Sequence, residues 1–187
     1  MSAKLAAVAT ALAMALALAS VPGCNTTEID KAGNGPMAFA ATPGTTGDDA
    51  PNATVILRSR SLLLTPAGQV IVDVVARGAT DLHGAAFRMT WDPATLRFVG
   101  AQTGPAWSNG AIALAKEGTP GQLAVVWTEK GETSHDATGE TVLGTLTFAV
   151  LSRKSTDLAF MNERAQMVGK SGAPLAVTWR GGTVAAR

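Results

Sequence analysis

The side chains best suited to chemistry fall in one polar stretch in the second half of the chain. His135 is followed by Asp136, and three carboxylates, Glu129, Glu132 and Glu140, lie on either side. A hydrolytic relay would need a serine within hydrogen-bond reach of the histidine and a third group to orient it. Two carboxylates could act as the acid and base of a glycosidase. The oxygens of Glu132, Asp136 and Glu140 are ligands of the kind that Ca²⁺ prefers.

The setting of these residues argues against all three of these functions. They lie in or beside Gly131–Gly139, a loop rich in Gly, Ser and Thr, where carboxylates are usually solvated charges. Neighbours in sequence do not make a relay, and no spacing typical of metal ligands is present. His83 is the only other histidine. We therefore predict no catalytic site, no bound metal and no cofactor, and a hydrolase is the least favoured alternative.

Exposed aromatic rings are a second functional feature, because sugar-binding sandwiches stack their ligands on them. The chain has four Trp and no Tyr. Trp91 and Trp127 fall at positions that should face inward, and Trp179 is ambiguous. Trp107 lies in the loop Gly104–Gly110 (GPAWSNG), so we expect its ring to be exposed. Trp107 is therefore the candidate residue for binding a polysaccharide.

The elements that would position these residues are β-strands. The segment Leu82–Trp91 alternates, with Ala85, Phe87, Met89 and Trp91 on one face, as expected for a half-buried antiparallel strand. Gly and Pro turns separate the runs, and no long amphipathic helix is indicated. The predicted strands are Ala53–Arg58, Gln69–Arg77, Leu82–Trp91, Thr95–Ala101, Ala111–Lys116, Gln122–Glu129, Thr141–Leu151, Thr156–Met161 and Pro174–Val184. About nine short strands predict an all-β, two-sheet antiparallel sandwich.

The N-terminal segment has the features of an export signal. Lys4 precedes an apolar stretch, Leu5–Ala19, that is shorter than the ~20 residues of a membrane-spanning helix. The sequence Val21-Pro22-Gly23-Cys24 resembles the lipobox of bacterial lipoproteins. The resemblance implies a signal peptide over residues 1–23 and a lipid on Cys24, the only cysteine.

The residues after Cys24 are rich in Gly, Pro, Thr, Asn and Asp. Residues 24–51 are expected to form a flexible tether that spans on the order of 30 Å on average. Asn25, rather than Asp, follows the cysteine, which in lipoproteins favours the outer membrane. We therefore expect an exported protein of the cell envelope, an outer-membrane lipoprotein facing the periplasm or the cell surface. Its lipid anchor would be its only contact with the membrane.

The charge balance excludes one class of partner. Lys and Arg number 15 and Asp and Glu number 14, so the formal net charge is +1. Proteins that bind nucleic acid present a marked excess of positive charge. We expect no nucleic-acid partner.

Four segments in order resemble the cohesin domain family. In the first, Leu82–Gly100 (LHGAAFRMTWDPATLRFVG), a strand ends in an aromatic-Asp-Pro turn that leads to a second strand. The others are Val125–Glu129, Gly144–Val150 and the closing Trp179–Val184, which contains Gly-Gly. The similarity spans residues 53–187. It implies a nine-stranded jelly roll over residues 52–187, related to certain carbohydrate-binding modules.

The resemblance also implies a binding surface, because cohesins bind dockerin modules through one flat sheet face. That face uses the strands matching Leu82–Trp91 and Gln122–Glu129. Where many cohesins carry Asn and Asp, this chain has Gly84 and Ala86. We predict a non-catalytic binding module with a dockerin-like or other protein partner, and polysaccharide binding through Trp107 is the alternative. The predicted face consists of Arg88, Thr90, Val126, Thr128 and Glu129.

Overall fold

The computed structural model describes residues 37–41, 53–60, 65 and 67–186. In these residues the secondary structure is almost entirely β, with one short 3-10 turn at Asn162–Arg164. Within these ranges no helix is long and apolar enough to cross a membrane. The strands are β1 (Met37–Ala41), β2 (Ala53–Ser59), β3 (Gln69–Thr90), β4 (Leu96–Thr103), β5 (Ile112–Glu117), β6 (Gln122–Thr128), β7 (His135–Val150), β8 (Thr156–Phe160), β9 (Gln166–Gly169), β10 (Pro174–Leu175), β11 (Val177–Arg180) and β12 (Gly182–Ala186).

The strands form two layers that share one long strand. The first half of β3 pairs with β2 on one side and β7 on the other, and β4 and β11 extend this layer. The second half of β3 pairs with β6 on one side and with β8 and β9 on the other. Beyond them β5 pairs with β6, and β12 and β1 follow β8. The β2–β11 pair is parallel and the others are antiparallel.

The passage of β3 from one layer to the other occurs at Gly78–Asp81. Gly78 has a φ of 66° and Asp81 a φ of 58°. The pairing between β3 and β7 shifts register on both sides of Ala79. Such irregularities bend and twist a strand. The Asp81 side chain accepts a hydrogen bond from the backbone N–H of Lys170 at 3.1 Å. The bend lets a single strand contribute to both sheets.

Aromatic rings from both layers fill the space between them. Phe87 of β3 packs edge-on against Trp127 of β6, with ring centroids 5.5 Å apart. It also contacts Trp179 of the other layer at 5.6 Å. The Trp127 ring lies over Gly144 of β7, where a Cβ atom would come within 2.4 Å of it. Any larger residue at position 144 would push the layers apart. The two-sheet sandwich predicted from the sequence is thus confirmed.

The strand boundaries differ from the prediction in four places. Gln69–Arg77 and Leu82–Trp91 belong to one strand, because the backbone continues pairing through the irregular turn at Gly78. The predicted loop Gly131–Gly139 ends early, since β7 begins at His135. Pro174–Val184 is divided among three strands, β10, β11 and β12. Strand β9 was not predicted.

The predicted tether also needs a correction, because Met37–Ala41 within it forms strand β1. It pairs with β12 from Met37↔Ala186 to Ala41↔Gly182. Phe39 is buried in the core, and its ring occupies the space that a side chain at Gly182 would need. The folded part therefore includes residues before Asn52. The predicted signal peptide and Cys24 lie outside the described residues.

Candidate functional site

Four neighbouring strands, β5, β6, the second half of β3 and β9, form one outer face of the sandwich. Residues that are paired across strands point to the same side of a sheet. The pairing therefore aligns the outward side chains in three rows, Ile112–Thr128–Gly84–Val168, Leu114–Val126–Ala86–Gln166 and Lys116–Ala124–Arg88. We call this surface the β5–β6–β3–β9 face.

This face exposes apolar side chains in a contiguous group. Leu114 is 57% exposed, Ile112 49% and Val126 36%. Leu114 pairs directly with Val126, and Ile112 lies two residues away on the same strand. Single exposed apolar residues are ordinary, whereas a contiguous group makes this surface a candidate binding site.

A shallow depression lies beside this apolar group. It has a volume of about 210 Å³, and Gly84, Val126, Thr128 and Val168 are among its lining residues. A Cβ atom at position 84 would lie 3.0 Å from the Val168 side chain and 3.1 Å from Thr128 Oγ1. The absence of a side chain at Gly84 therefore keeps this depression open.

Four of the five residues predicted for the binding face lie on it. Arg88 and Val126 are exposed, and Thr90 and Thr128 are half-buried. Thr128 is held in place by a hydrogen bond that its Oγ1 donates to the backbone carbonyl of His83 at 3.2 Å. Their part in binding remains a prediction.

Glu129 does not belong to this face, so that part of the prediction is wrong. Its side chain is only 1% exposed. The carboxylate accepts hydrogen bonds from the backbone N–H and the Oγ of Ser108 at 2.6 and 2.5 Å. Nε2 of His135 lies 2.8 Å from Glu129 Oε1, the same oxygen that accepts the Ser108 backbone N–H. At the end of β6 the next side chain turns inward, where these partners hold it.

The environment of Glu129 favours its charged form. Burial by itself would raise the pKa of this carboxyl group. The hydrogen bonds from Ser108, together with the hydrogen bond and charge interaction with His135, outweigh that effect and lower the pKa below its usual value. The carboxylate therefore joins the loop before β5 to the start of β7 as an ionised group.

The Ser108–Glu129–His135 cluster is not a catalytic relay. In a serine relay the histidine lies between the serine and the acid. Here the acid lies between the serine and the histidine, and no hydrogen bond joins Ser108 to His135 in the described residues. The cluster contains the right residue types in an order that cannot activate the serine.

The other candidate carboxylates are each engaged elsewhere. Glu140 contacts Arg58 and Arg77. Glu132 lies 3.3 Å from Lys170, and Asp136 accepts the backbone N–H of Asp81 at 2.9 Å. Across the described ranges no group of three or more His, Cys, Asp or Glu side chains is placed to hold a metal ion.

Trp107, the predicted sugar-stacking residue, is buried, so its predicted exposure is wrong. The ring is 7% exposed, and its Nε1 donates a hydrogen bond to the carbonyl of Leu143 at 2.6 Å. The loop folds back onto β7, with the backbone N–H of Gly104 donating to the same carbonyl. Trp91, Trp127 and Trp179 are also buried. No tryptophan ring offers a platform for a sugar.

Ile112 and Leu114 are the members of the face that the sequence analysis missed. A strand over Ala111–Lys116 was predicted, but apolar alternation is usually taken to mark the buried side. On β5 the large apolar residues are exposed, while Ala115, on the opposite side, packs against the core. The signal available in the sequence was the alternation of large residues, Ile112 and Leu114, with alanines, because the small residues proved to be the ones on the core side.

Solved structures identify this architecture as the cohesin fold. The sixth cohesin of scaffoldin B from Acetivibrio cellulolyticus, solved with a Cel5 dockerin mutant, shares 16% identity at a TM-score of 0.60, covering 73% of this chain and 98% of that one. A non-cellulosomal cohesin from the archaeon Archaeoglobus fulgidus shares 17% identity at a TM-score of 0.58, and the match covers 73% of this chain and 92% of that one. A type II cohesin of the ScaA scaffoldin from A. cellulolyticus shares 15% sequence identity at a TM-score of 0.60. The match covers 75% of this chain and 99% of that one.

The comparisons made on sequence gave no match. No protein-family model matches this sequence. No curated protein matches it. At the level of the fold, the resemblance to cohesins drawn from the residues is confirmed.

Proposed function

We propose that this chain is a non-catalytic binding module that presents its β5–β6–β3–β9 face to a protein partner. The contiguous exposure of Ile112, Leu114 and Val126 on adjacent strands carries the proposal. Burying such a surface against a partner is favourable by about 25 cal/mol per Å² of apolar area. A cohesin with the same fold has been solved with a bound dockerin, which supports a protein as the partner.

The alternatives have less support. A polysaccharide site of the predicted kind requires an exposed ring, and Trp107 is enclosed. A serine hydrolase requires a histidine within reach of its serine, and Glu129 lies between Ser108 and His135. Neither chemistry has a site in the part of the chain that the structure describes.

A pair of matched variants tests the binding face. Leu114 is 57% exposed on this face, and Leu151, at the end of β7, is 54% exposed outside it. The tagged full chain, purified in detergent, would capture proteins from an extract of the native cell envelope. We expect a specific partner to be retained by the wild type and by Leu151→Asp and lost with Leu114→Asp. Equal capture by all three proteins would contradict the assignment of the face.

We also propose that the module is exported and held in the outer membrane by a lipid on Cys24. The apolar stretch Leu5–Ala19 and the sequence Val21-Pro22-Gly23-Cys24 support this. Two or more acyl chains hold a protein stably in a membrane, whereas one gives marginal binding. Replacement of Cys24 by Ala should move the protein from the membrane fraction to the soluble fraction. Retention of the variant in the membrane would argue against the lipid anchor.

A further inference from the structure

Strand β5 is paired on one side only. It pairs with β6 from Ile112↔Thr128 to Glu117↔Leu123 without a register shift, and no described strand pairs with its other edge. An unpaired edge presents a row of backbone N–H and C=O groups to which a further strand can be added. This edge is one border of the β5–β6–β3–β9 face.

The hairpin between β5 and β6 determines which backbone groups point to the free edge. Gly118, directly after β5, donates its backbone N–H to the carbonyl of Gln122 at 3.3 Å. Hydrogen-bonded and non-hydrogen-bonded pairs alternate along antiparallel strands, so every second residue before Gly118 is bonded to β6. The backbone groups of the residues between them, which include Ala113 and Ala115, therefore point to the free edge.

β5 lacks the features with which proteins usually block an edge, such as a bulge, a proline or an inward-pointing charge. In the other layer, the edge strand β4 has a register shift between Phe98 and Gly100, an irregularity of the kind that bends a strand. β5 has a regular register and no proline. The Glu117 carboxylate is held at the hairpin loop, where it accepts the backbone N–H of Gly121 at 3.1 Å. The edge of β5 is therefore open to a further strand.

We infer that β5 pairs with β5 of a second copy of this chain. A two-fold axis normal to the sheet at Leu114 makes the two strands antiparallel and joins the two sheets with the same side outward. Ala113 of each copy then lies opposite Ala115 of the other, and each such pair exchanges both of its backbone hydrogen bonds. The β5–β6–β3–β9 faces of the two copies become one continuous surface. This inference goes beyond the proposed function and does not depend on it.

The side chains of β5 are complementary to themselves about this axis. On the outer side, Leu114 lies opposite its own copy in a non-hydrogen-bonded pair, where cross-strand side chains are closest. Ile112 lies opposite Lys116 of the other copy, whose apolar stem covers it. The two lysines lie roughly 13 Å apart along the strand direction, so no like charges face each other. This self-complementarity favours a second copy over an unrelated strand.

Registers shifted by two residues fit less well. With Ala113 on the axis, Ala115 would need the backbone N–H of Ala111, which already donates to the carbonyl of Ser108 at 3.1 Å. With Ala115 on the axis, Leu114 would lie opposite Lys116 and would lose its apolar partner. The sequence of the strand therefore selects the register that is centred on Leu114.

Disulfide trapping tests both the pairing and its register. Opposite Cα atoms in a non-hydrogen-bonded pair are about 4.5 Å apart, within the range of about 4.4–6.8 Å that a disulfide spans. Leu114→Cys, Ile112→Cys and Val126→Cys are made one at a time in the full chain carrying Cys24→Ala, purified in detergent. All three positions are exposed on the same face. Ile112 and Val126, however, lie roughly 13–14 Å from their own copies in this register.

We expect Leu114→Cys to form a disulfide-linked dimer on mild oxidation and the other two variants to remain monomeric. Equal cross-linking of all three variants would indicate random collision. Absence of cross-linking at Leu114→Cys would show that the edges do not pair in this register. Either result would overturn the inference.

A proline on the free edge gives a second test that leaves the outward side chains unchanged. The backbone N–H of Ala113 is not used by β6, so Ala113→Pro removes a donor of the dimer and none of the hairpin. Ala113→Ser, which keeps this N–H, is the control, and circular dichroism checks that each variant is folded. Sedimentation equilibrium in density-matched detergent should show a dimer for the wild type and Ala113→Ser and a monomer for Ala113→Pro. A monomeric wild type, or a dimer that survives the proline, would contradict the pairing.

The same variant separates this inference from the proposed function. Ala113→Pro leaves Ile112, Leu114 and Val126 on the face, so it should still capture the envelope partner. Capture by a chain that never dimerises would leave the proposed function standing and this inference wrong. A dimer that captures no partner would have the opposite meaning.

Discussion

The two outer faces of the sandwich are built on sheets of the same kind and differ in chemistry. On the face formed by β2, the first half of β3 and β7, Arg58 and Arg77 both contact Glu140. Arg60 binds Asp73 at 2.8 Å, and Thr145 donates to the same carboxylate oxygen at 2.9 Å. On the β5–β6–β3–β9 face, Arg88 and Lys116 have no such partners among the described residues.

The apolar residues on the two faces also differ, in how far they are exposed to solvent. Val75 lies on the outer side of its sheet, outside the core cluster, and is fully buried. The Arg58 side chain on β2 reaches across the sheet to Glu140 on β7, on the same outer side of the sheet. Val126 occupies a similar place on the other sheet and is 36% exposed. One face therefore carries long charged side chains that are paired with each other, whereas the other face exposes apolar side chains.

The largest effect is expected beneath the apolar face, at Phe87. Its ring contacts Trp127, Phe160 and Trp179. Truncation to Ala should lower the free energy of unfolding by about 3–5 kcal/mol. Urea titration measures this, with Arg88→Ala on the next, outward position as the control. A loss below about 1 kcal/mol at Phe87 would mean that the faces of β3 are reversed.

A smaller loss is expected at Phe39, at the edge of the same layer. Phe39 is 3% exposed, and β1 pairs only with β12. Phe39→Ala should cost about 3 kcal/mol, the low end of the range for buried Phe. The neighbouring exposed Ala40→Ser serves as the control. Equal stability of the two variants would mean that Phe39 adds nothing to the core and that residues 37–41 belong to the tether.

Glu129 and Glu140 allow buried and surface carboxylates to be compared. Glu129→Gln should cost about 1.5–3 kcal/mol, because hydrogen bonds to a buried charged group are lost. Glu140→Gln removes ion pairs whose side chains are 40% exposed or more, and such pairs contribute about 0–1 kcal/mol. Thermal unfolding at neutral pH measures the loss of stability in each of the two variants. A larger loss at Glu140 would contradict this ranking.

The pH dependence of stability tests whether Glu129 is ionised in the folded protein. The folded-state pKa of Glu129 is lowered, so the stability contributed by its ionised form is present above the unfolded pKa. That stability is lost as the pH falls through the folded pKa, below the usual range for Glu. The difference in unfolding free energy between wild type and Glu129→Gln should shrink on acidification. A difference that is constant with pH would show that the carboxylate is not ionised in the fold.

The smallest effect on stability is expected on the binding face itself. Leu114→Asp should change the free energy of unfolding by no more than about 0.5 kcal/mol, because the side chain is already exposed. Its effect should appear only as the loss of partner capture described above. Unfolding of this variant by 2 kcal/mol or more would place Leu114 in the core.

Local patterns in the sequence determined the strands and one turn. Alternation along Leu82–Trp91 placed Phe87 and Trp91 inside, and both are buried. The Asp92-Pro93 turn forms as its residues predict, with Asp92 accepting hydrogen bonds from the backbone N–H of Ala94 at 2.9 Å and from Thr95 Oγ1 at 3.1 Å. These features depend on residues within a few positions of each other, so the sequence alone can specify them.

Only the tertiary structure decided which outward residues are covered. Trp107 is enclosed through Leu143, 36 residues away, and Glu129 through Ser108, 21 residues away. Ile112 and Leu114 alternate as a buried strand would, yet they face solvent because none of the described segments packs over that side of β5. Periodicity fixes which side chains share a face of a strand, whereas burial depends on distant segments that do or do not cover that face. The sequence therefore defined the strands of the sheet, and the tertiary structure defined which of its apolar side chains are exposed.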